Sequence, residues 1–181
     1  MIRVLGGTSR GRKLHGPSGL QFRPATGRVK EFIFSFLGEK IDQARLLDLF
    51  AGTGAIGIEA LSRGAREVVF IDRSSSSMRL LKKNIGMCHF LNRADPLTGD
   101  VFRVLPMVHK KYGCFDVVIA DPPFKALLRE KIVQIVSQNR LLQAGGYLII
   151  EHDIRDADRE DHPMILQKQR RFGDCIVSIY T

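Results

Sequence analysis

No stretch of this 181-residue chain approaches the ~20 consecutive apolar residues that a helix needs to cross a bilayer. The opening "MIRVLGG" has no apolar h-region, so no secretory signal is expected. Cysteine is scarce: Cys88, Cys114 and Cys175 stand apart, with no CxxC spacing. That argues against a cysteine-based zinc site and fits a reducing compartment, so a cytoplasmic protein is expected. The five histidines, His15, His89, His109, His152 and His162, form no HxxxH or HExxH pair, and no metal is predicted. Internal repeats, low-complexity tracts and long linkers are missing as well. With 44% apolar residues, what remains is a globular chain long enough to bury a sizeable core.

Acid is missing from the beginning of the chain. Residues 1–30 hold Arg3, Arg10, Arg12, Lys13, Arg23, Arg28 and Lys30 and no Asp or Glu, which concentrates +7 of the net +9 there. A basic segment beside a near-neutral body is the electrostatic footprint of a polyanion binder. "IRVLGG" and "RKLHG" read as short strand–turn pieces, so the segment is expected to fold as an arm. The stretch "RPATGRVKEFIFSFLG" then predicts a helix. Val29, Phe32, Ile33, Phe36 and Leu37 form an apolar stripe at i, i+3, i+4, i+7 and i+8, with Thr26 as N-cap and Gly38 as C-cap. Residues 1–38 are thus an arm and helix packed, through the phenylalanines, on a domain spanning 39–181.

From residue 45 apolar runs alternate with helical patterns. "RLLDLF", "EVVFID", a weak third near "ADPLTGD", "FDVVIAD", "GGYLIIEH" and "CIVSIY" read as strands. Helices are expected through "IEALSRG", after the serine run (Met78, Leu81 and Ile85 on one face), over 101–111 with a break or kink at Pro106, and in "LLREKIVQIVSQ" (Leu128, Ile132, Ile135 and Val136 on one face). Continuous apolar strands alternating with helices predict an α/β fold, an open and mostly parallel sheet covered on both sides. Ligands of such sheets bind at the carboxyl ends of the strands, at the switch point.

Two motifs fall at strand ends. "LLDLFAGTGAIGIEA" sets Gly52, Gly54 and Gly57 as G-x-G-x-x-G between strand and helix. Glycines there permit a tight turn and close approach of backbone to a ligand. Asp72 ends the next strand, 20 residues after Gly52, where a carboxylate can take both hydroxyls of a ribose. That suits NAD and S-adenosylmethionine alike. Asp48, inside the first strand, needs a partner when buried: a cofactor amine, backbone N–H groups or a local structural bond. Asp100 either accepts from an adenine amine or caps the next helix. The second motif is "DPPF", Asp121, Pro122, Pro123 and Phe124, which ends "VVIAD" on an acid and stiffens the turn after it.

"DPPF" resembles the Asp-Pro-Pro-aromatic motif of S-adenosylmethionine-dependent methyltransferases that act on planar exocyclic amines. "IRVLGGTSRGRKL", "RPATGRVKEFIFSFLG", "LLDLFAGTGAIGIEALSRGA", "IDR" and "DPPF", in that order, resemble the bacterial RsmD family over residues 1 to about 128. Family members commonly carry Thr at position 25 and often an acid at 27, where this chain has Ala25 and Gly27. The resemblance implies a Rossmann-like class I methyltransferase fold, with a seven-stranded sheet and an N-terminal hairpin–helix extension. It implies methyl transfer from S-adenosylmethionine to N2 of a guanine in small-subunit (16S) ribosomal RNA. It places Asp48, Gly52, Gly54 and Asp72 at the cofactor, beside which Asp100 stays a candidate for the adenine, and Asp121, Pro122, Pro123 and Phe124 at the base. The arm's Arg10, Arg12, Lys13, Arg23 and Arg28 are expected to meet rRNA, in the small subunit or an assembly intermediate. The protein is expected to be a monomer with no metal.

Three other readings compete. A DNA or protein amine methyltransferase could use the same motif, although 181 residues leave no room for a separate DNA target-recognition region. An NAD(P)-dependent oxidoreductase could use the glycine loop but leaves "DPPF" unexplained. A non-catalytic RNA-binding assembly factor could keep a relic of the fold, against which Asp72 and Asp121 both stand intact.

Overall fold

The computed structural model describes residues 2–16, 27–123, 128–156 and 163–181. Thr26, Arg23 and Phe124 lie outside them. A small antiparallel hairpin, β1 (Ile2–Arg3) with β2 (Lys13–Leu14), precedes α1 (Gly27–Leu37). Gly38 follows α1 at φ 52° and opens a 3-10 turn through Ile41, a conformation glycine adopts without steric cost. The main sheet and its helices run β3 (Arg45–Leu49), α2 (Ala55–Ser62), β4 (Glu67–Asp72), α3 (Ser75–Met87), β5 (Ala94–Thr98), α4 (Val101–Tyr112), β6 (Phe115–Ala120), α5 (Arg129–Gln138), β7 (Leu142–Asp153), β8 (Leu166–Phe172) and β9 (Cys175–Tyr180).

The seven strands lie in the order β5-β4-β3-β6-β7-β9-β8. The first five are parallel; β9 runs antiparallel to β7, and β8 antiparallel to β9. Alternating residues divide each strand between two cores. Leu46, Val68, Phe70, Val117 and Ile119 face α1, α2 and α3, whereas Leu47, Val69, Ile71, Val118 and Ala120 face α4 and α5. Strands apolar on both faces are what a sheet covered by helices on both sides requires.

Four details differ from the sequence reading. Pro106 does not break α4: it lies on the exposed face, where water can solvate the carbonyl that it leaves unpaired. The buried row of α5 is Ile132, Val133 and Val136, with Leu128 and Ile135 only partly covered. On α1, Phe34 is buried where Phe36 is only partly covered. The edge strand β8, "LQKQRRF", carried no strand signal because it is exposed along nearly its whole length.

The hairpin and α1 share a core with the sheet through Ile2, Val4, Leu14, Val29 and Ile33. Glu59, fully buried on α2, clamps them. Its carboxylate accepts from the Leu5 and Gly6 amides at 2.7 and 2.8 Å, from Lys30 Nζ at 3.3 Å and from Arg63 Nε at 2.8 Å. Lys30 Nζ also donates to the Arg3 carbonyl at 2.6 Å. Burial pushes the Lys30 ammonium below its usual range, against the pull of Glu59. One of the arm's seven cations is therefore spent on holding the arm in place.

Candidate active site

The sheet order reverses at β3, since the chain steps outward to β4 and β5 and then returns to β6 on the other side. The glycine loop leaves the carboxyl end of β3, and "DPP" leaves that of β6 next to it. The Asp121 amide reaches the Leu49 carbonyl at 3.4 Å, extending the ladder by one weak rung. The loop turns sharply: Phe50, Gly52 and Gly54 take φ values of 59°, 55° and 77°. A left-handed phenylalanine is unusual; its ring meets Phe102 edge-on at 6.1 Å. Gly57 serves packing. A Cβ there would lie 2.2 Å from the Phe70 ring and 2.9 Å from Asp48 Oδ2.

Asp72 closes the loop from β4. Its Oδ2 accepts from the Gly52 amide at 2.8 Å and its Oδ1 from the Ser74 amide at 2.7 Å. Each oxygen keeps a further lone pair. Asp48 is 2% exposed, and its Oδ2 accepts from the Gly57 amide at 3.0 Å. Burial, with a contribution from Asp72, pushes its carboxyl up to about 7. Asp100 caps α4, its Oδ1 accepting from the Phe102 amide at 3.0 Å, so the capping alternative is realised with Oδ1. The Gly99 amide donates to the Asp72 carbonyl at 3.0 Å and draws the ends of β4 and β5 together.

Glu151 was not singled out in the sequence. The register Ala120↔Ile150 sets it one residue further along β7, beside Asp121. Burial first, then the charges of Glu151 and Asp48, push the Asp121 carboxyl well above the usual carboxylate range. This crowd of acids disfavours the charged form of Asp121. Pro122 is buried and Pro123 exposed, so the motif is anchored on one side and open on the other.

Asp48 gives rise to a pH prediction. Folding holds a proton on it between its ordinary value near 3.8 and about 7, so stability should fall as pH rises through that window. One bound proton corresponds to about 1.4 kcal/mol per pH unit. Asp48→Asn should flatten this slope in urea titrations from pH 4 to 8. An undiminished slope would place the stability-linked proton elsewhere.

Asn84, fully buried on α3, is a second residue the sequence did not mark. Its Oδ1 accepts from the His15 amide at 2.8 Å; its Nδ2 donates to the His15 carbonyl at 3.0 Å and to the Thr53 carbonyl at 2.9 Å. The end of the arm is thereby tied to the glycine loop. Of the arm cations among the described residues, Arg3, Arg10, Arg12, Lys13 and Arg28 are exposed. Arg12 donates to the Met87 carbonyl at the end of α3 and so has a structural contact.

Comparison with known proteins places this geometry among relatives. The family model described as "Conserved hypothetical protein 95" matches residues 2–181. A protein of Bacillus subtilis, named as a candidate rRNA methyltransferase, is 32% identical over 181 residues, 99% of this chain and 98% of its own. The ribosomal RNA small subunit methyltransferase D of Escherichia coli is 34% identical over 155 residues, 86% of this chain and 76% of its own. A solved Escherichia coli structure, described as a candidate methyltransferase, is 31% identical with a TM-score of 0.86, covering 99% of this chain and 96% of that one. The seven-stranded sheet with its N-terminal hairpin is accordingly a class I methyltransferase fold. Matched along nearly its whole length, the chain belongs to this family, the RsmD family.

Proposed function

We propose that the protein transfers a methyl group from S-adenosylmethionine to N2 of a guanine in small-subunit ribosomal RNA. One observation carries the reading. At the switch point, an Asp-Pro-Pro turn after β6 adjoins a glycine loop after β3, within a cluster of acids in which Asp48 and Glu151 are buried and Asp121 is half-buried. Such a cluster fits a positively charged ligand. S-adenosylmethionine supplies an electrophilic methyl on a sulfonium and carries a ribose and an amine. Asp72 and the glycine loop are assigned to its ribose end and Asp48 to its amine end, with Asp100 beside the adenine.

The exocyclic nitrogen of guanine is a poor nucleophile because its lone pair is delocalised into the ring. The Asp121 carboxylate and the carbonyl after it accept its N–H groups and aim the lone pair, so alignment supplies much of the rate. The carboxylate also stabilises positive charge developing on nitrogen. Pro122 and Pro123 keep the acceptors in place. Phe124 is assigned to stack on the base, which must leave its own stack to enter.

The relatives named small-subunit methyltransferases support rRNA as substrate. Labelled S-adenosylmethionine offered with unmodified small subunits, free rRNA and DNA, with identification of the methylated nucleoside, tests the proposal. N2-methylguanine from rRNA is expected. N6-methyladenine or methylated protein as sole product would refute it. Calorimetric titration with S-adenosylmethionine and NAD separates the oxidoreductase reading, which requires NAD to bind.

The exposed Arg10 and Lys13 are assigned to RNA phosphates, and the protein acts as a cytoplasmic monomer. Neutralising both should weaken RNA binding and reduce its salt dependence by roughly one logarithmic unit for each phosphate no longer neutralised, with S-adenosylmethionine affinity little changed. Normal RNA binding at every salt concentration would reduce the arm to a stabilising appendage.

A further inference from the structure

Strand β8 is one edge of the sheet, and residues 163–173 contain Lys168, Arg170 and Arg171 but no acid. The three are exposed, and among the described residues none has a carboxylate partner. Two of them rest on aromatic rings shared with α1. Arg170 lies over Phe32 and Phe172 at 5.4 and 5.3 Å, and Lys168 over Phe32 and Phe36 at 5.7 and 5.8 Å. Phe32 and Phe172 meet at 5.6 Å, and Phe36 meets Tyr147 edge-on at 5.2 Å. Lys40 continues the row over Tyr147 at 4.5 Å. A row of aromatic rings thus carries three cations along one side of the molecule.

The row points towards the candidate site. Phe172 pairs with Cys175, which pairs with Asp153 at the carboxyl end of β7, so the Arg170–Phe172 end of β8 lies at the catalytic end of the sheet. Asp121 succeeds β6, three strands away from β8. At ~4.8 Å per strand that is roughly 14 Å, close enough for one folded RNA element to reach both. Arg28, one helical turn before Phe32 on α1, continues the basic surface towards the arm, and Glu31 is the only acid on that helix. A cation on a ring is held beside its negative face, and the donors that point away from the ring can still meet a phosphate oxygen.

We propose that Lys168 and Arg170, seated on the Phe32–Phe36–Phe172 row, form a second RNA-phosphate surface that holds the segment flanking the target base. This rests on the rRNA reading above. Charge complementarity identifies the occupant, because the strand offers cations alone and rRNA is a polyanion. The competing role is protection of a sheet edge, which exposed basic residues also perform by discouraging strand pairing.

The test compares wild type with Lys168→Gln/Arg170→Gln and with Lys168→Glu/Arg170→Glu. Both pairs are exposed, so folding should survive, and thermal melting checks it. The measurements are affinity for small-subunit rRNA from ~50 to ~200 mM salt, S-adenosylmethionine affinity and oligomeric state. With two phosphates no longer neutralised, the salt slope should shrink by roughly 1.4 to 1.8, so wild type should lose roughly 7- to 12-fold more affinity across that range than the Gln variant. The Glu variant should bind more weakly still, with S-adenosylmethionine affinity unchanged in both. Unchanged RNA affinity and slope, with or without self-association, would overturn the surface and leave edge protection as the role. If the Arg10/Lys13 variant weakened RNA binding while the β8 variants did not, only this inference would fall. If wild type bound and methylated no RNA, the functional reading would fall with it.

Discussion

Asp121→Ala should lose roughly 100-fold or more in single-turnover methyl transfer, with S-adenosylmethionine affinity nearly intact. The benchmark is the loss of one preorganised charge-stabilising group in an active site, about 2.7–4 kcal/mol. Asp121→Asn is the sharper probe. Its amide oxygen still accepts a hydrogen bond, so partial activity would show that alignment dominates, whereas near-complete loss would show that the negative charge does. The acids around Asp121 add a pH signature. Its carboxyl is held above the usual range by burial, Glu151 and Asp48, and only its ionised form brings a negative charge to the nitrogen that becomes positive. Wild-type turnover should therefore rise with pH through that ionisation, and the Asn variant should lose this dependence. Phe124→Leu should slow turnover on RNA through weaker stacking. Wild-type rates in both Asp121 variants would remove the motif from the mechanism.

Asp72→Ala should weaken S-adenosylmethionine binding by roughly 10- to 100-fold, the equivalent of a charge-assisted hydrogen bond of about 1.5–3 kcal/mol. The geometry gives this variant two consequences, since Asp72 also receives the Gly52 and Ser74 amides. A cofactor analogue lacking the ribose hydroxyls separates them. If Asp72 holds the ribose, the analogue should bind wild type and variant with nearly equal affinity. If it only pins the loop, the variant should lose the same factor with both ligands. Unchanged affinity in a folded variant would mean that another group holds the ribose.

The strands that build the site were legible because each is apolar on both faces. Leu46 and Leu47, or Val69 and Phe70, can be buried together only between two layers of helix. The glycine loop was legible because its backbone needs positive φ at Gly52 and Gly54, and Gly57 needs contact without a side chain. Strand β8 was not legible, because an edge strand with one uncovered face need not alternate apolar residues. Pro106 leaves α4 unbroken because helix breaking depends on whether the freed carbonyl can reach water, and only burial reveals that.

The sequence by itself determined the alternation of strand and helix, the two turns at the strand ends and the basic arm, since local periodicity and residue chemistry carry them. Only the tertiary structure decided what those residues do to one another. Sheet order set Glu151 beside Asp121 and so raised the acid on which the reading rests. Packing spent Lys30 on Glu59 and Arg12 on the Met87 carbonyl, and tied the arm to the glycine loop through Asn84. These partners lie 29 to 75 residues apart in the chain. Their interactions depend on distance and desolvation, which exist only once the chain has folded.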